Sequence, residues 1–318
     1  MRKISIAVPC YNEVGNVRPM AEKLTDIMKK LPYDYEIVFT DNCSTDGTKE
    51  ILRELAAADR HIKVLINNRN YGVDGRSGRN TLKYVSGDAI VTIPADFQEP
   101  PERIPEFIRY WENGYKVVCG QKIGSKEGRI KYGCRNLYYK IIKGLSDTPQ
   151  YEHISGITLF DKEVMTEYVK SDYDFYFRFA IADMGYDVKL IPYEQCARRS
   201  GTSSYNVWRY LTFAINSMVA TSIVPLRLMT VLGLVMSVCS FLVGIVYLIL
   251  KLARWHNFQA GTAPILIGMF FLGAVQLFFM GILGEYIGVI LRKVTKKPEV
   301  IVGEKINFED EETIEEHR

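Results

Sequence analysis

Short apolar runs alternate with amphipathic segments along the N-terminal part of the chain. The runs have the length and β-branched character of strands that are buried on both faces of a sheet. They are Lys3–Pro9, Tyr35–Thr40, Ile62–Ile66 and Asp88–Ile93. Between the first two runs, Val14–Leu31 carries apolar residues at the spacing of an amphipathic helix. Strands that alternate with helices form βαβ units, so the pattern predicts an α/β domain with a mainly parallel sheet.

The pattern becomes less regular after Pro101, where it predicts a helix that ends near Asn113. The later predicted elements are strands at Lys116–Gly120, Ile157–Phe160 and Val188–Pro192 and a helix at Phe175–Met184. Asp161 comes directly after the second of these strands, and we expect it to cap a helix.

Two long apolar segments, Leu228–Leu250 and Ala263–Leu291, follow this domain. Each is long enough to cross a hydrocarbon core of about 30 Å. Glu285 lies within the second segment, and we expect it to face protein because a charge is costly in lipid. The predicted organisation is a globular domain at 1–204, an amphipathic juxtamembrane helix and linker at 205–226, transmembrane helices at 227–252 and 263–291 around a short extracytoplasmic loop at 253–262, and a charged tail at 292–318.

The net charge and the cysteine spacing indicate which partners and which cellular compartment to expect. A formal net charge of +3 is too small to indicate a nucleic-acid partner. The six cysteines show no C-x-x-C spacing, which argues against a zinc site and a disulfide framework and favours a reducing compartment. Met1 leads almost directly into the first strand, so we expect no signal peptide. The predicted location is the inner cell membrane, as a multi-pass protein with the domain and the C-terminus in the cytoplasm.

Polar turns follow the first four predicted strands. They are Pro9–Glu13, Asp41–Gly47, Asn70–Arg79 and Pro94–Gln98. Because the carboxyl ends of parallel strands line one crevice, we expect these turns to form a ligand site. The side chains that it would gather are Glu13, Asp41, Asp96, Asn12, Asn42, Gln98, Arg76 and Arg79. The carboxylate oxygens of Asp96 and the amide oxygen of Gln98 are suitable ligands for Mg²⁺ or Mn²⁺. The alternative role for Asp96 is to cap a helix that begins near Pro101.

Four motifs in this order, V-P-C-Y-N-E, T-D-N-C-S-T-D-G-T, N-R-N-Y-G and P-A-D-F-Q-E-P-P-E, resemble those of the family 2 glycosyltransferases with a GT-A fold. With two C-terminal spans, the chain most resembles the polyprenyl-phosphate glycosyltransferases, from Ser5 to about Leu291. The resemblance implies a Rossmann-like GT-A domain followed by two transmembrane helices. It also implies a nucleoside-diphosphate sugar as donor, a dolichyl or undecaprenyl phosphate as acceptor, contact with membrane lipid, and a homo-oligomer, which is a tetramer among relatives.

The crevice and the resemblance together give the candidate site residues. The nucleotide-binding candidates are Pro9, Tyr11, Glu13, Asp41, Asn42, Asn70 and Arg79. By resemblance, Asp96 and Gln98 would hold Mg²⁺ or Mn²⁺ on the diphosphate, and Arg178 and Arg199 would join Asp96 as catalytic residues. The candidates for the acceptor phosphate are Arg135, Ser203 and Tyr205. Two alternatives stay open here, because the basic run that contains Arg135 also suits a solvated face and Arg178 also suits stacking on its aromatic neighbours.

Three departures from the family pattern bear on activity. Pro94 stands where the D-x-D motif has its first acid, Asn42 replaces the second acid of D-D-G-S, and no acid lies near Gly156, where many members place a candidate base. A phosphate monoester is mostly a dianion near pH 7, so a phosphate acceptor needs positioning more than deprotonation. The missing base therefore favours a lipid phosphate acceptor, and the expected reaction is a single inverting displacement. The rival interpretations are an inactive nucleotide-sugar-binding scaffold and a polysaccharide synthase.

Overall fold

A computed structural model describes residues 1–72, 76–123, 151, 154–171, 177–196, 224–253, 262–294 and 300–308. The chain divides into two compact units, which are described separately below. The first comprises Met1–Tyr139, Thr148–Tyr205 and Lys297–Arg318, and the second comprises Lys140–Asp147 and Asn206–Lys296.

Among the described residues of the first unit, eight strands form one sheet. They are β1 (Lys3–Cys10), β2 (Asp34–Asp41), β3 (Ile62–Asn67), β4 (Ala89–Thr92), β5 (Val117–Lys122), β6 (Ile154–Asp161), β7 (Val188–Tyr193) and β8 (Val302–Ile306), in the spatial order β7-β5-β6-β4-β1-β2-β3-β8. The neighbours β3, β2, β1 and β4 are mutually parallel, and β5 is parallel to β7. β6 is antiparallel to both of its neighbours, and β8 is antiparallel to β3. The predicted α/β class with a mainly parallel sheet is confirmed.

Helices connect these strands and cover the sheet. They are α1 (Val17–Met28), α2 (Thr48–Ala58), α3 (Arg76–Thr81), α4 (Ile104–Glu112), which a 3₁₀ turn at Pro101–Arg103 precedes, α5 (Lys162–Lys170) and α6 (Phe177–Met184). The apolar face of α1 packs Val17, Met20 and Leu24 into the main core, as their spacing predicts. Asp161 is the N-cap of α5 and accepts a hydrogen bond from the Glu163 N–H at 2.9 Å, which confirms its predicted role.

The second unit contains two long helices, α7 (Val224–Ala253) and α8 (Thr262–Val294). Each has a segment long and apolar enough to cross a membrane, namely Leu226–Tyr247 and Ile267–Leu291, and neither segment is buried within the structure. Large apolar side chains are exposed along both helices, a surface that a soluble monomer rarely presents. The helices are therefore candidate membrane spans. The predicted juxtamembrane helix before α7 lies largely outside the described residues.

The C-terminal segment contributes β8, which the sequence analysis did not predict. In β8 the half-buried positions Val302, Glu304 and Ile306 alternate with exposed ones. A strand of five residues that contains a glycine and two charges carries little of the β-branched signal by which a strand is recognised. The predicted boundaries between the domain, the spans and the tail stay predictions.

Candidate functional site

Three loops at the carboxyl ends of β1, β2 and β4 have residues with left-handed backbone conformations. The residues are Asn12, Cys43 and Phe97, with φ of 55°, 63° and 58°. Positive φ is uncommon for residues other than glycine, and such strain gathers where the surrounding structure holds a functional loop. The first two loops hold each other, since the Asn12 N–H donates to Ser44 Oγ at 2.8 Å and the Thr45 N–H donates to Asn12 Oδ1 at 2.9 Å. The loops after β1 and β2 are therefore fixed relative to each other at the carboxyl ends of their strands.

Asp41 is fully buried at the end of β2. Its Oδ2 accepts a hydrogen bond from the Ser44 N–H at 2.9 Å, whereas its buried Oδ1 makes no hydrogen bond of normal geometry. Burial raises the pKa of Asp41, and hydrogen bonds from Ser44 act in the opposite direction. An unsatisfied buried acceptor costs free energy that a donor on a bound ligand would recover. Asp41 is thus suited to accept a hydrogen bond from the base or ribose of a nucleotide.

The amide side chain of Asn42 is bonded to the strand β3 and to the loop that follows it. Its Nδ2 donates to Asn70 Oδ1 and to the Gly72 carbonyl, both at 3.0 Å. Its Oδ1 accepts from Asn67 Nδ2 at 3.2 Å and from the Tyr71 N–H at 3.0 Å. Two donors and two acceptor sites are all that an amide side chain offers. Asn42 therefore positions the loop after β3, and its direct contact with a nucleotide stays a prediction.

The other candidates in the first loop lie at the surface of the crevice. Pro9 is exposed, Tyr11 is 37% exposed and Glu13 is half-buried. The Glu13 N–H donates to Thr48 Oγ1 at 3.0 Å, and the Glu13 carbonyl accepts the N–H groups of Asn16 and Val17 at the start of α1. The loop is therefore tied to two helices while the Tyr11 ring remains accessible to a ligand.

The loop after β4 brings Asp96 and Gln98 together. Asp96 is 7% exposed, and its Oδ1 accepts the Gln98 N–H at 3.2 Å. The alternative that Asp96 caps the next helix is wrong, because Pro100 holds the cap position and no side chain bonds to the turn there. Asp96 is thus held at the end of the strand by its own loop.

Glu99 belongs to this site, although the sequence analysis did not select it. Its Oε1 accepts a hydrogen bond from Tyr193 Oη at 3.2 Å, and the Gly156 N–H lies close enough to act on the carboxyl group. Burial and the charge of Asp96 raise the pKa of Glu99 to about 7, against the opposing effect of these two donors. The signal for Glu99 was its place in the same P-A-D-F-Q-E stretch as Asp96.

The donor set suits a hard divalent cation. Asp96 and Gln98 supply a carboxylate and an amide oxygen, and the Glu99 carboxyl group lies near enough to Asp96 to feel its charge. Within the described ranges, no group of three or more His, Cys, Asp or Glu side chains is placed to hold a metal ion. A cation at Asp96 would therefore need further oxygens from a bound ligand, such as a diphosphate.

The remaining candidates are distributed differently. Arg79 is buried and donates from Nη2 to the Val169 carbonyl at 3.3 Å and to the Ser171 carbonyl, and its guanidinium lies over the Tyr168 ring. These contacts serve the C-terminus of α5, so its role toward a nucleotide stays a prediction. Asn70 is exposed and accepts from Asn42. Arg178 lies on α6, with its side chain outside the description, and the candidates outside the described residues are Arg135, Arg199, Ser203 and Tyr205.

Comparison with known proteins identifies the class. Residues 5–169 match the family described as "Glycosyl transferase family 2", and residues 224–290 match the "GtrB C-terminal hairpin". The chain belongs to glycosyl transferase family 2 and is a glycosyltransferase, which confirms the family predicted from the four motifs.

Relatives match along nearly their whole length. The SfII prophage-derived bactoprenol glucosyl transferase of Shigella flexneri is 31% identical over 303 residues, covering 94% of this chain and 97% of that protein. An uncharacterized glycosyltransferase of Synechocystis, sll0501, is 28% identical and covers 95% of both chains. Among solved structures, glucosyl-3-phosphoglycerate synthase from Mycobacterium tuberculosis in complex with UDP is similar, with a TM-score of 0.48 and 18% identity over 69% of this chain and 79% of that one.

Proposed function

We propose that this protein transfers a sugar from a nucleoside-diphosphate sugar to a polyprenyl phosphate at the cytoplasmic face of the cell membrane. The observation that carries the proposal is the presence, in one chain, of a family 2 domain and a hairpin of two helices with exposed apolar surfaces. The bactoprenol glucosyl transferase of Shigella flexneri, which is similar along almost all of both chains, supports a lipid phosphate as acceptor.

The donor would lie across the strand ends. Asp41 would accept a hydrogen bond from the base or ribose through its unsatisfied Oδ1, and the exposed ring of Tyr11 would contact the same ligand. Asp96 and Gln98 would hold Mg²⁺ or Mn²⁺ on the diphosphate, where a bound cation offsets the charge of the leaving group. The role of Pro9, Glu13 and the loop at Asn70 would be to shape the walls of this pocket.

The acceptor phosphate needs no strong base in this reaction. Because the monoester is mostly ionised near pH 7, one of its oxygens would attack the anomeric carbon directly while the bond from that carbon to the diphosphate breaks. The result is a lipid-linked sugar with inverted anomeric configuration. Arg178 and Arg199, with Arg135, Ser203 and Tyr205, are proposed to position the acceptor phosphate. A homo-oligomer and the orientation of the two helices belong to the same proposal.

A second candidate function is a scaffold that binds a nucleotide sugar without transferring it. The observation that favours it is Pro94, which follows β4 and has no side-chain oxygen that could take part in metal or diphosphate binding. The buried carboxyl groups at Asp96 and Glu99 favour the enzyme, because a site without chemistry has no need to bury two acids beside each other.

A transfer assay separates the two candidates. Purified full-length protein in detergent would be given undecaprenyl phosphate, Mg²⁺ or Mn²⁺, and a panel of radiolabelled UDP- and GDP-sugars, with EDTA as the control. We expect a labelled lipid that forms with one donor and disappears with EDTA. If nucleotide sugars bind and no donor yields a labelled lipid, the scaffold is the correct function.

A further inference from the structure

The strand β8 is bound to the first unit by side chains as well as by its pairing with β3. Glu304 forms a two-pronged ion pair with Arg53 on α2, in which Nη2 lies 2.7 Å from Oε2 and Nε lies 3.1 Å from Oε1. Asn307 Nδ2 donates to the carbonyls of Ala56 at 2.6 Å and Ile62 at 2.8 Å. These bonds satisfy carbonyls at the end of α2 and the start of β3, so β8 has one defined position on the sheet.

A bulge in β8 brings the strand close to the loop that follows β3. The pairing of Ile66 with Glu304 is followed by that of Asn67 with Val302, so Gly303 is left unpaired between them. A β-carbon at Gly303 would meet the end of the exposed Asn68 side chain, which would have to move aside. The bulge therefore places β8 directly against the loop that follows β3.

The residue before β8 is bonded to that loop at two points. The Ile301 N–H donates to Tyr71 Oη at 2.8 Å, and the Ile301 carbonyl accepts the Asn68 N–H at 3.1 Å. Tyr71 is buried, and its own N–H donates to Asn42 Oδ1. Asn42 adjoins Asp41, whose open carboxylate oxygen belongs to the proposed donor site. A continuous series of hydrogen bonds thus runs from Ile301 through Tyr71 to the end of β2.

We propose that the Ile301–Tyr71 hydrogen bond positions the donor site, so that the segment after the second apolar helix is a working part of nucleotide binding. The inference deepens the proposed function and rests on its donor site. Tyr71 and Ile301 are positioning residues, because they act through Asn42 and the loop at 68–72. Removal of this bond would weaken the contact between Ile301 and the loop at 68–72. The loop would then be less ordered in the free protein, and nucleotide binding would have to provide the free energy that orders the loop.

The test removes each side of the bond while the side-chain volume is nearly kept. Tyr71→Phe deletes the hydroxyl acceptor, and Ile301→Pro deletes the N–H donor. Ile301→Ala is the matched control, since it shortens a side chain that is 48% exposed and keeps the N–H. Calorimetry with UDP and GDP on full-length protein in detergent gives the dissociation constant, and the transfer assay gives the donor KM, the acceptor KM and kcat.

We expect Tyr71→Phe and Ile301→Pro each to raise the dissociation constant of the nucleotide and the donor KM by about three- to ten-fold. The acceptor KM and kcat should stay near the wild-type values, a division that a general loss of structure would not produce. The double variant should bind nucleotide as tightly as the single variant with the lower affinity, because both substitutions remove the same hydrogen bond. Ile301→Ala should bind as the wild type does.

Three results would overturn the inference. The first is a wild-type nucleotide affinity in both single variants. The second is a loss of nucleotide affinity in the Ile301→Ala control as large as that in Ile301→Pro. The third is a loss of affinity in the double variant that equals the sum of the two single losses in free energy. A different result would contradict the proposed function, namely a wild-type protein that binds nucleotide and forms no lipid product. The nucleotide dissociation constants of the variants would still test the inference in that case. A wild type that bound neither UDP nor GDP would overturn both.

Discussion

A β-carbon built on Gly156 would lie 2.7 Å from Cγ of Pro94 and 3.0 Å from its Cδ. Two of the departures from the family pattern therefore involve neighbouring residues, Pro94 in the loop after β4 and Gly156 in β6. The ring of Pro94 fills the space into which a side chain at position 156 would begin to extend. This contact therefore couples the residue types that positions 94 and 156 can hold in this chain.

This coupling predicts a compensating pair of variants. Gly156→Ala should destabilise the protein by about 1–3 kcal/mol, because the new methyl group overlaps the Pro94 ring. Pro94→Ala removes the overlapping atoms, so the double variant should be destabilised by less than the sum of the two single changes. Urea denaturation midpoints in detergent measure each effect. Strictly additive values would show that the two positions do not constrain each other.

Asp96 is the acid on which the metal assignment depends. Asp96→Asn keeps the size of the side chain and removes its charge, and we expect transfer to fall by at least about a hundred-fold. The denaturation midpoint should change much less than the rate, because Asn keeps an oxygen that can accept the hydrogen bond from the neighbouring Gln98 N–H. Asp187→Asn, at an exposed acid before β7, is the matched control and should transfer at the wild-type rate. An Asp96→Asn variant with an unchanged, EDTA-sensitive rate would remove Asp96 from the metal site.

Glu99 predicts a loss of stability as the pH rises. Its pKa in the folded protein is about 7, above the ordinary pKa of a glutamate side chain, 4.5. Between these values the unfolded chain has released a proton that the folded chain still holds. The free energy of unfolding should therefore fall from about pH 4.5 to about pH 7, by roughly 3 kcal/mol at most at 1.36 kcal/mol for each pKa unit. Glu99→Gln should lose this dependence, as denaturation midpoints at pH 5 and pH 8 would show.

A divalent cation gives that prediction a second test. Positive charge at Asp96 favours the ionised form of the neighbouring Glu99. Added Mg²⁺ should therefore reduce the difference in stability between pH 5 and pH 8 in the wild type and leave it unchanged in Asp96→Asn. An equal effect of Mg²⁺ on both proteins would place the cation elsewhere.

The parallel half of the sheet was predictable because its strands are buried on both faces. Val8, Ile37 and Val64 lie in apolar runs that are typical of strands covered on both faces. The rule that ligands bind at the carboxyl ends of parallel strands drew attention to Asp41 and Asp96. Asp161 was predictable as a cap because it stands directly between a strand and a helix pattern. These features depend on local sequence alone.

Other features depend on pairings between distant residues, which one sequence does not reveal. The fully used amide of Asn42 and the contacts of Arg79 with carbonyls of α5 required the folded loops to be seen. Glu99 was passed over because nothing in its immediate sequence states that it is buried against Tyr193. The contacts of these polar side chains therefore came from the structure, and their roles toward a ligand stay predictions.

Glu36 is one such long-range feature, and it predicts sensitivity to acid. It is 1% exposed and lies within 3.1 Å of Lys3 Nζ and 2.9 Å of Lys63 Nζ. Burial alone would raise its pKa, but hydrogen bonds from Ser5, Ser86 and Lys63 outweigh burial and lower the pKa from 4.5 to about 2.

The stabilisation from Glu36 should be complete above about pH 5 and lost as the pH falls toward 2, because only the unfolded chain takes up the proton in that range. Glu36→Gln should therefore cost about 3 kcal/mol at pH 7 and flatten the acid side of the stability profile. Glu54→Gln, which breaks an exposed pair with Arg18, should cost less than about 1 kcal/mol. Equal losses in the two variants would contradict the role given to Glu36.

The edge strand β8 changes what a shortened protein is expected to do. A chain that ends before the apolar helices lacks β8 as well, so its catalytic sheet would end in the unpaired edge of β3. The contribution of β8 can be measured with the helices in place, by comparing a chain that ends after residue 299 with one that ends after residue 308. The longer chain keeps β8 and loses only residues 309–318, six of which are acidic.

We expect the chain that ends at 308 to unfold at the wild-type denaturant concentration and the chain that ends at 299 to unfold at a lower one. The shorter chain loses the packing of Ile306 against the main core, the Arg53–Glu304 ion pair and the bonds from Asn307. It should also aggregate more readily, because an exposed strand edge pairs with other chains. Equal midpoints for the two chains would mean that β8 rests on the sheet without stabilising it, and the fold would then be complete without its C-terminal strand.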